Sequence, residues 1–166
     1  GFRVSETVTL PKELDDVARI GINFELNKEL DQYTYFGVGP HESMPDRAIG
    51  RVGKYSSTVE KQLTDYIKPQ ECGGHVGVRW FEISDSPAGG LAKNARGIRI
   101  ELDKPRMVTV LPVTSEALAD ATHNIYVKRS GTTVVTIDAI HRGVGTASCG
   151  PDTLDQYKIK PGTYKF

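Results

Sequence analysis

Ile20-Gly21-Ile22-Asn23-Phe24-Glu25-Leu26 is the stretch that decides the fold class. Apolar residues stand at every second position with Gly21, Asn23 and Glu25 between them, which is the pattern of a strand that turns one face to a core and the other to water. The same alternation runs outward in both directions. Upstream, Phe2, Val4, Val8 and Leu10 share one parity ahead of a turn-like segment at 11–16. Downstream, residues 33–36, 76–83, 98–102, 107–111, 125–128, 132–137, 157–159 and 164–166 read as further strands. Ten short strands predict an all-β sandwich of antiparallel sheets. The 17 glycines and nine prolines fall mostly between the runs, where turns need them. Two stretches break the pattern and predict one or two helical turns each: 56–67, where Val59, Leu63 and Ile67 are spaced by four, and 115–123 behind the capping pair Thr114-Ser115.

The 166 residues fit one domain. A hydrophobic fraction of 38% with 25% charged residues is that of a folded globular chain. Twenty-one basic residues balance 21 acidic ones without a basic stripe, so nucleic acid is not an expected partner. No run reaches the roughly 18 apolar residues of a membrane helix, and the amino end lacks the apolar core of a signal peptide. The compartment stays open, with the cytoplasm preferred to secretion or the periplasm. Cys72 and Cys149 lack CxxC spacing and read as free thiols.

Polar chemistry is densest in Phe36-Gly37-Val38-Gly39-Pro40-His41-Glu42-Ser43-Met44-Pro45-Asp46-Arg47. Such a cluster could bind a polar ligand, but adjacent His, Glu, Asp and Arg more often satisfy one another and fix a loop, so Gly39, Pro40, His41, Glu42, Asp46 and Arg47 are assigned to structure. Glu42, Asp46, Glu71, Asp85, Asp138 and Asp152 lie near turns where a carboxylate could face a cleft, as chance alone provides among 21 acidic residues. His41, His75, His123 and His141 are scattered and form no metal-ligand pair, so no metal is assigned to this chain. The only tryptophan, Trp80, alternates with Val76 and Val78, which predicts a core position instead of a sugar platform. The glycine-rich segment 138–151 reads as a long shaped loop that either carries binding groups or simply allows tight turns.

Six motifs in order carry a resemblance: Phe36-Gly37-x-Gly39-Pro40-His41-Glu42-x-x-Pro45-Asp46-Arg47, Tyr66-Ile67-x-Pro69-Gln70-Glu71-x-Gly73, Val78-Arg79-Trp80, Ala121-Thr122-His123, Gly143-Val144-Gly145 through Ser148-Cys149-Gly150-Pro151, and Pro161-Gly162-x-Tyr164. Together they resemble the C-terminal small-chain domain of the β-galactosidases of glycoside hydrolase family two. The resemblance implies a supersandwich of the galactose mutarotase kind, of which residues 1–166 form the C-terminal portion. It implies no catalytic residue in this chain: the two glutamates sit on a separate (β/α)₈ barrel, and Mg²⁺ and Na⁺ sites also lie outside this region. The expected partners are that barrel, the other domains of the same enzyme and a β-galactoside substrate, with homo-oligomerisation open. Gly145, Thr146, Ser148 and Cys149 would rim the substrate pocket. One common form of the family carries Gly-Asp-Asp-Ser-Trp there, with the Trp stacking on sugar; here Cys149 stands where that ring would be. A stand-alone carbohydrate-binding module is one alternative. A mutarotase-type epimerase is another, and needs His41 with Glu42, or His141 with Asp138, to converge on a ligand.

Overall fold

The computed structural model describes residues 1–86, 95–146 and 150–166. Among these it places eight strands: β1 (Thr7–Leu10), β2 (Arg19–Asn27), β3 (Gln32–Gly39), β4 (Arg51–Thr58), β5 (Gly74–Ser84), β6 (Gly97–Leu111), β7 (Thr132–His141) and β8 (Gly162–Lys165). All pair antiparallel, six of them in the order β2-β7-β6-β5-β3-β4, while β1 and β8 form a two-stranded ribbon. The chain is an all-β sandwich, and its one α-helix among the described residues, α1 (Ser115–Asp120), begins where Thr114 accepts a hydrogen bond from the Ala117 N–H.

Register explains the core. Pairing sets Phe24 opposite Val135, Val110 opposite Val135, Tyr33 opposite Ile83 and Tyr35 opposite Phe81, so apolar side chains line up across the large sheet. Tyr33, Val78, Phe81, Ile83, Val108, Val110 and Val135 are fully buried there. Each such side chain removed from water stabilises the fold by about 1.5–3 kcal/mol. A smaller cluster of Leu10, Ile20 and Ile159 packs under the β1–β8 ribbon.

Several expectations are corrected. The first strand begins only at Thr7, preceded by a reciprocal backbone pairing of Glu6 with Phe166, and Phe2 is 94% exposed. Segments 98–102 and 107–111 are one strand, β6; Pro105 is tolerated because residues 102–105 have no ladder partner in β5. Residues 125–128 and 157–159 are not strands. Their β-prone side chains find no neighbouring strand, and the chain makes 3₁₀ turns at Asn124–Tyr126 and Asp155–Tyr157 instead. In 56–67 the strand β4 continues to Thr58 and a 3₁₀ turn follows at Glu60–Gln62; the spacing of four is not a helical face, since Ile67 is 85% exposed. Trp80 is not in the core. The β5–β6 register shifts between His75 and Val78 and again between Val78 and Trp80, so Val78, Phe81 and Ile83 reach the core while Trp80 lies half-buried between Phe36 and the Arg99 guanidinium.

Candidate functional site

The segment after β3 leaves the sheet through a cis Gly39–Pro40 bond and folds back on β5. Ser43 fastens it: its N–H donates to Gly74 O at 2.7 Å and its Oγ accepts from the Val76 N–H at 3.0 Å. Reciprocal backbone hydrogen bonds between Met44 and Arg47 close the turn, with Met44 wholly buried. This leaves Glu42 and Asp46 to serve different neighbours.

Glu42 ties the turn to the segment that follows β4. Arg47 Nη2 donates to its Oε1 at 2.8 Å, the Tyr66 hydroxyl donates to the same oxygen, and Oε2 accepts from Thr64 Oγ1 at 3.1 Å and the Gly73 N–H at 2.8 Å. Pro40 and the His41 side chain stay exposed beside it. Asp46 ties the turn to the glycine-rich loop about 100 residues later. Its Oδ1 accepts from the Val144 N–H at 3.1 Å; its Oδ2 accepts from the Gly145 N–H at 2.7 Å and from Thr153 Oγ1 at 2.9 Å. Burial by itself pushes the Asp46 carboxyl up, but the hydrogen bonds from Gly145, Thr153 and Val144 outweigh it and hold the group below the usual aspartate value of 3.8.

Gly145 has φ +62, and a Cβ there would run into the backbone of residues 151–153, so the turn requires glycine. Beyond it Thr146 closes the neck of the loop: its N–H and its Oγ1 both donate to Pro151 O, at 3.3 and 2.9 Å. The structure therefore brings Asp46, Gly145 and Thr146 together. Ser148 and Cys149 lie outside the described residues.

The other carboxylates singled out near turns, Glu71, Asp85, Asp138 and Asp152, are engaged by arginine. Arg19 grips Asp138 with Nε and Nη2 at 2.9 and 2.7 Å and reaches Glu71 with Nη1 at 3.2 Å. Arg96 pairs with Asp85, and Arg142 with Asp16 and Asp152. His141 donates from Nδ1 to Arg142 O at 2.5 Å and sets Nε2 3.9 Å from Glu71. The described residues contain no group of three His, Cys, Asp or Glu side chains placed to hold a metal ion. Sequence reasoning missed Arg19 and Thr153. Arg19 precedes an apolar strand and Thr153 a 3₁₀ turn, and nothing local marks either as a partner of a distant carboxylate.

Residues 2–166 match the β-galactosidase small chain family. A β-galactosidase of Actinobacillus pleuropneumoniae is 31% identical over 157 residues, covering 94% of this chain and 14% of that protein. Those of Arthrobacter sp. (strain B7) and Lactobacillus delbrueckii subsp. bulgaricus are 32% and 33% identical, covering 86% and 96% of this chain. The chain spans only 14–15% of the length of these relatives. With all but its first residue matched, the chain belongs to the β-galactosidase small chain family.

Proposed function

We propose that this chain is the C-terminal portion of the sandwich domain of a β-galactosidase, that its loop 145–151 rims the substrate pocket, and that it does not hydrolyse a glycoside by itself. The observation that carries the reading is the Asp46 clamp. A carboxylate from one family motif fixes the backbone of another at Val144 and Gly145, which is how a scaffold presents a loop at a set position. Ile22, Phe24 and Leu26 on β2, with Ile98, Ile100 and Leu102 on β6, keep apolar surface half-exposed beside the core, a face that further domains of a longer enzyme would cover. The catalytic step in the full enzyme would be retaining double displacement by two carboxyl groups about 5 Å apart. In this reading those groups, and the Mg²⁺ and Na⁺ sites, belong to the rest of the enzyme. The epimerase alternative is disfavoured because the carboxylate of each of its two candidate pairs, Glu42 or Asp138, already accepts from an arginine, Arg47 or Arg19.

The test is hydrolysis of a chromogenic β-galactoside by the purified chain and by its full-length parent with Mg²⁺. Turnover by the parent alone is expected. Turnover by the 166-residue chain would overturn the reading.

A further inference from the structure

A cleft of about 400 Å³ opens between the end of β4 at Tyr55, Ser56 and Ser57, the 3₁₀ turn after it and the Pro40–Glu42 turn. It is lined on the Glu42 side of the motif segment and includes neither Asp46 nor Gly145. Its back wall is a stacked pair of buried rings, Tyr35 and His75, with centroids 4.2 Å apart. The sequence makes room for that pair at Gly39, where a Cβ would collide with the Tyr35 hydroxyl and the Tyr55 ring.

The pair orients a donor into the cleft. Tyr35 Oη lies 2.9 Å from His75 Nδ1, and His75 Nε2 lies 2.7 Å from Gln62 Oε1. An amide oxygen only accepts, so Nε2 carries the proton, and Nδ1 is left to accept from the Tyr35 hydroxyl. Gln62 is thereby held by its carbonyl end, and its amide NH₂ is left without a partner among the described residues, as is the Lys61 ammonium. The carboxylate on the opposite wall is not available to a ligand, because both oxygens of Glu42 already accept from Arg47, Tyr66, Thr64 and Gly73.

These groups select a ligand chemistry. A cation finds no free carboxylate, and an anion that reaches Lys61 meets the Glu42 carboxylate in the same lining. An apolar molecule would leave the Gln62 donor unpaired, at the desolvation cost of a buried polar group. A neutral ring with several oxygens satisfies the amide and the ammonium and can lie against the Tyr55 ring that lines the cleft, in a volume within the usual range of about 300–1,000 Å³ for small-molecule sites. We infer that this cleft is a second carbohydrate site, binding a neutral pyranoside through the Gln62 amide and Lys61. The inference rests on the cleft alone and holds whether or not loop 145–151 rims a hydrolytic pocket.

Photolabelling of the full-length enzyme with a diazirine-bearing β-galactoside, followed by peptide mapping, tests it. Label is expected within residues 40–62. Ser57→Trp, which fills the cleft from its β4 wall, should lower that label at least tenfold while label elsewhere and hydrolysis of a chromogenic galactoside persist. Gln62→Leu should lower it about fivefold, as loss of one oriented donor would. Absence of label from 40–62 in the wild type would overturn the inference, including the case in which other domains cover the cleft; so would label there that Ser57→Trp leaves unchanged. A parent enzyme without hydrolytic activity would count against the hydrolase reading and leave the labelling outcome to stand separately.

Discussion

Asp46→Ala strands three donors, the N–H groups of Val144 and Gly145 and the Thr153 hydroxyl, which now reach the carboxylate at 3.1, 2.7 and 2.9 Å. A hydrogen bond to a charged group contributes about 1.5–3 kcal/mol, and water can re-solvate part of this half-buried site, so the net loss is about 3 kcal/mol instead of the full sum. At about 1.4 kcal/mol per factor of ten, local opening of the turn becomes roughly 100-fold more frequent. Amide hydrogen exchange in the full-length enzyme reads this directly. Protection at Val144 and Gly145 should fall by about two orders of magnitude, while core amides such as Val135 keep theirs. If Gly145 protection changes by less than about threefold, the Thr146–Pro151 neck holds the loop without Asp46 and the reasoning fails. Acid should imitate the mutation. The folded-state value of Asp46 is depressed, so its contribution is complete above the ordinary 3.8 and is lost as pH falls below it through the folded value.

Three further predictions concern the core. Burial holds the His75 imidazole down at about 4 against an ordinary 6.5, so between these values the unfolded chain binds a proton that the folded chain does not. Its contribution is full above pH 6.5 and falls by about 3 kcal/mol on descent to pH 4; urea unfolding across that range should show the slope, and His75→Gln should flatten it. The Tyr33 hydroxyl is buried without a hydrogen-bond partner among the described residues, so Tyr33→Phe should stabilise the chain by about 1 kcal/mol and leave the stacking on Tyr35 in place. A loss of stability would mean that the hydroxyl is paired. Burial pushes the Cys72 thiol up to about 11, so in a Cys149→Ser background an aromatic disulfide reagent at pH 8 should react about 100-fold more slowly with the folded than with the unfolded chain.

The fold was legible wherever one face of a strand is buried. In β2 the apolar residues keep strict alternation through Leu26, with Ile22 set opposite Ile137 and Phe24 opposite Val135 on β7. Edge and irregular elements were not legible. β4, at the margin of the large sheet, carries only Val52 and Tyr55 as large apolar residues, and Val52 is 53% exposed, so no period-two signal marks it. Trp80 was misread for a related reason: parity counts residues, and a bulge inserts one without a trace in composition. In the site, sequence shows a dense polar segment at 36–47 but not that Glu42 and Asp46 face different partners. That division depends on contacts 22–31 residues away for Glu42 and about 100 for Asp46.

The commitment of the carboxylates bears most directly on what this chain can do chemically. A glycosidase needs one carboxyl group that stays protonated to donate to the leaving oxygen, which calls for a raised pKa, and a second that is free to attack or to activate water. Here Asp46, Asp85 and Asp152 are all held below the usual range, the first by backbone and hydroxyl donors despite burial, the other two by Arg96 and Arg142. Glu42 is paired with Arg47, and Glu71 and Asp138 with Arg19. A nucleophile among the six carboxylates that lie near turns would first have to leave an arginine or a backbone amide. The same arrangement suits a scaffold: anions that accept several hydrogen bonds at once fix distant loops relative to one another, and those of Glu42 and Asp46 do so from a single turn of nine residues.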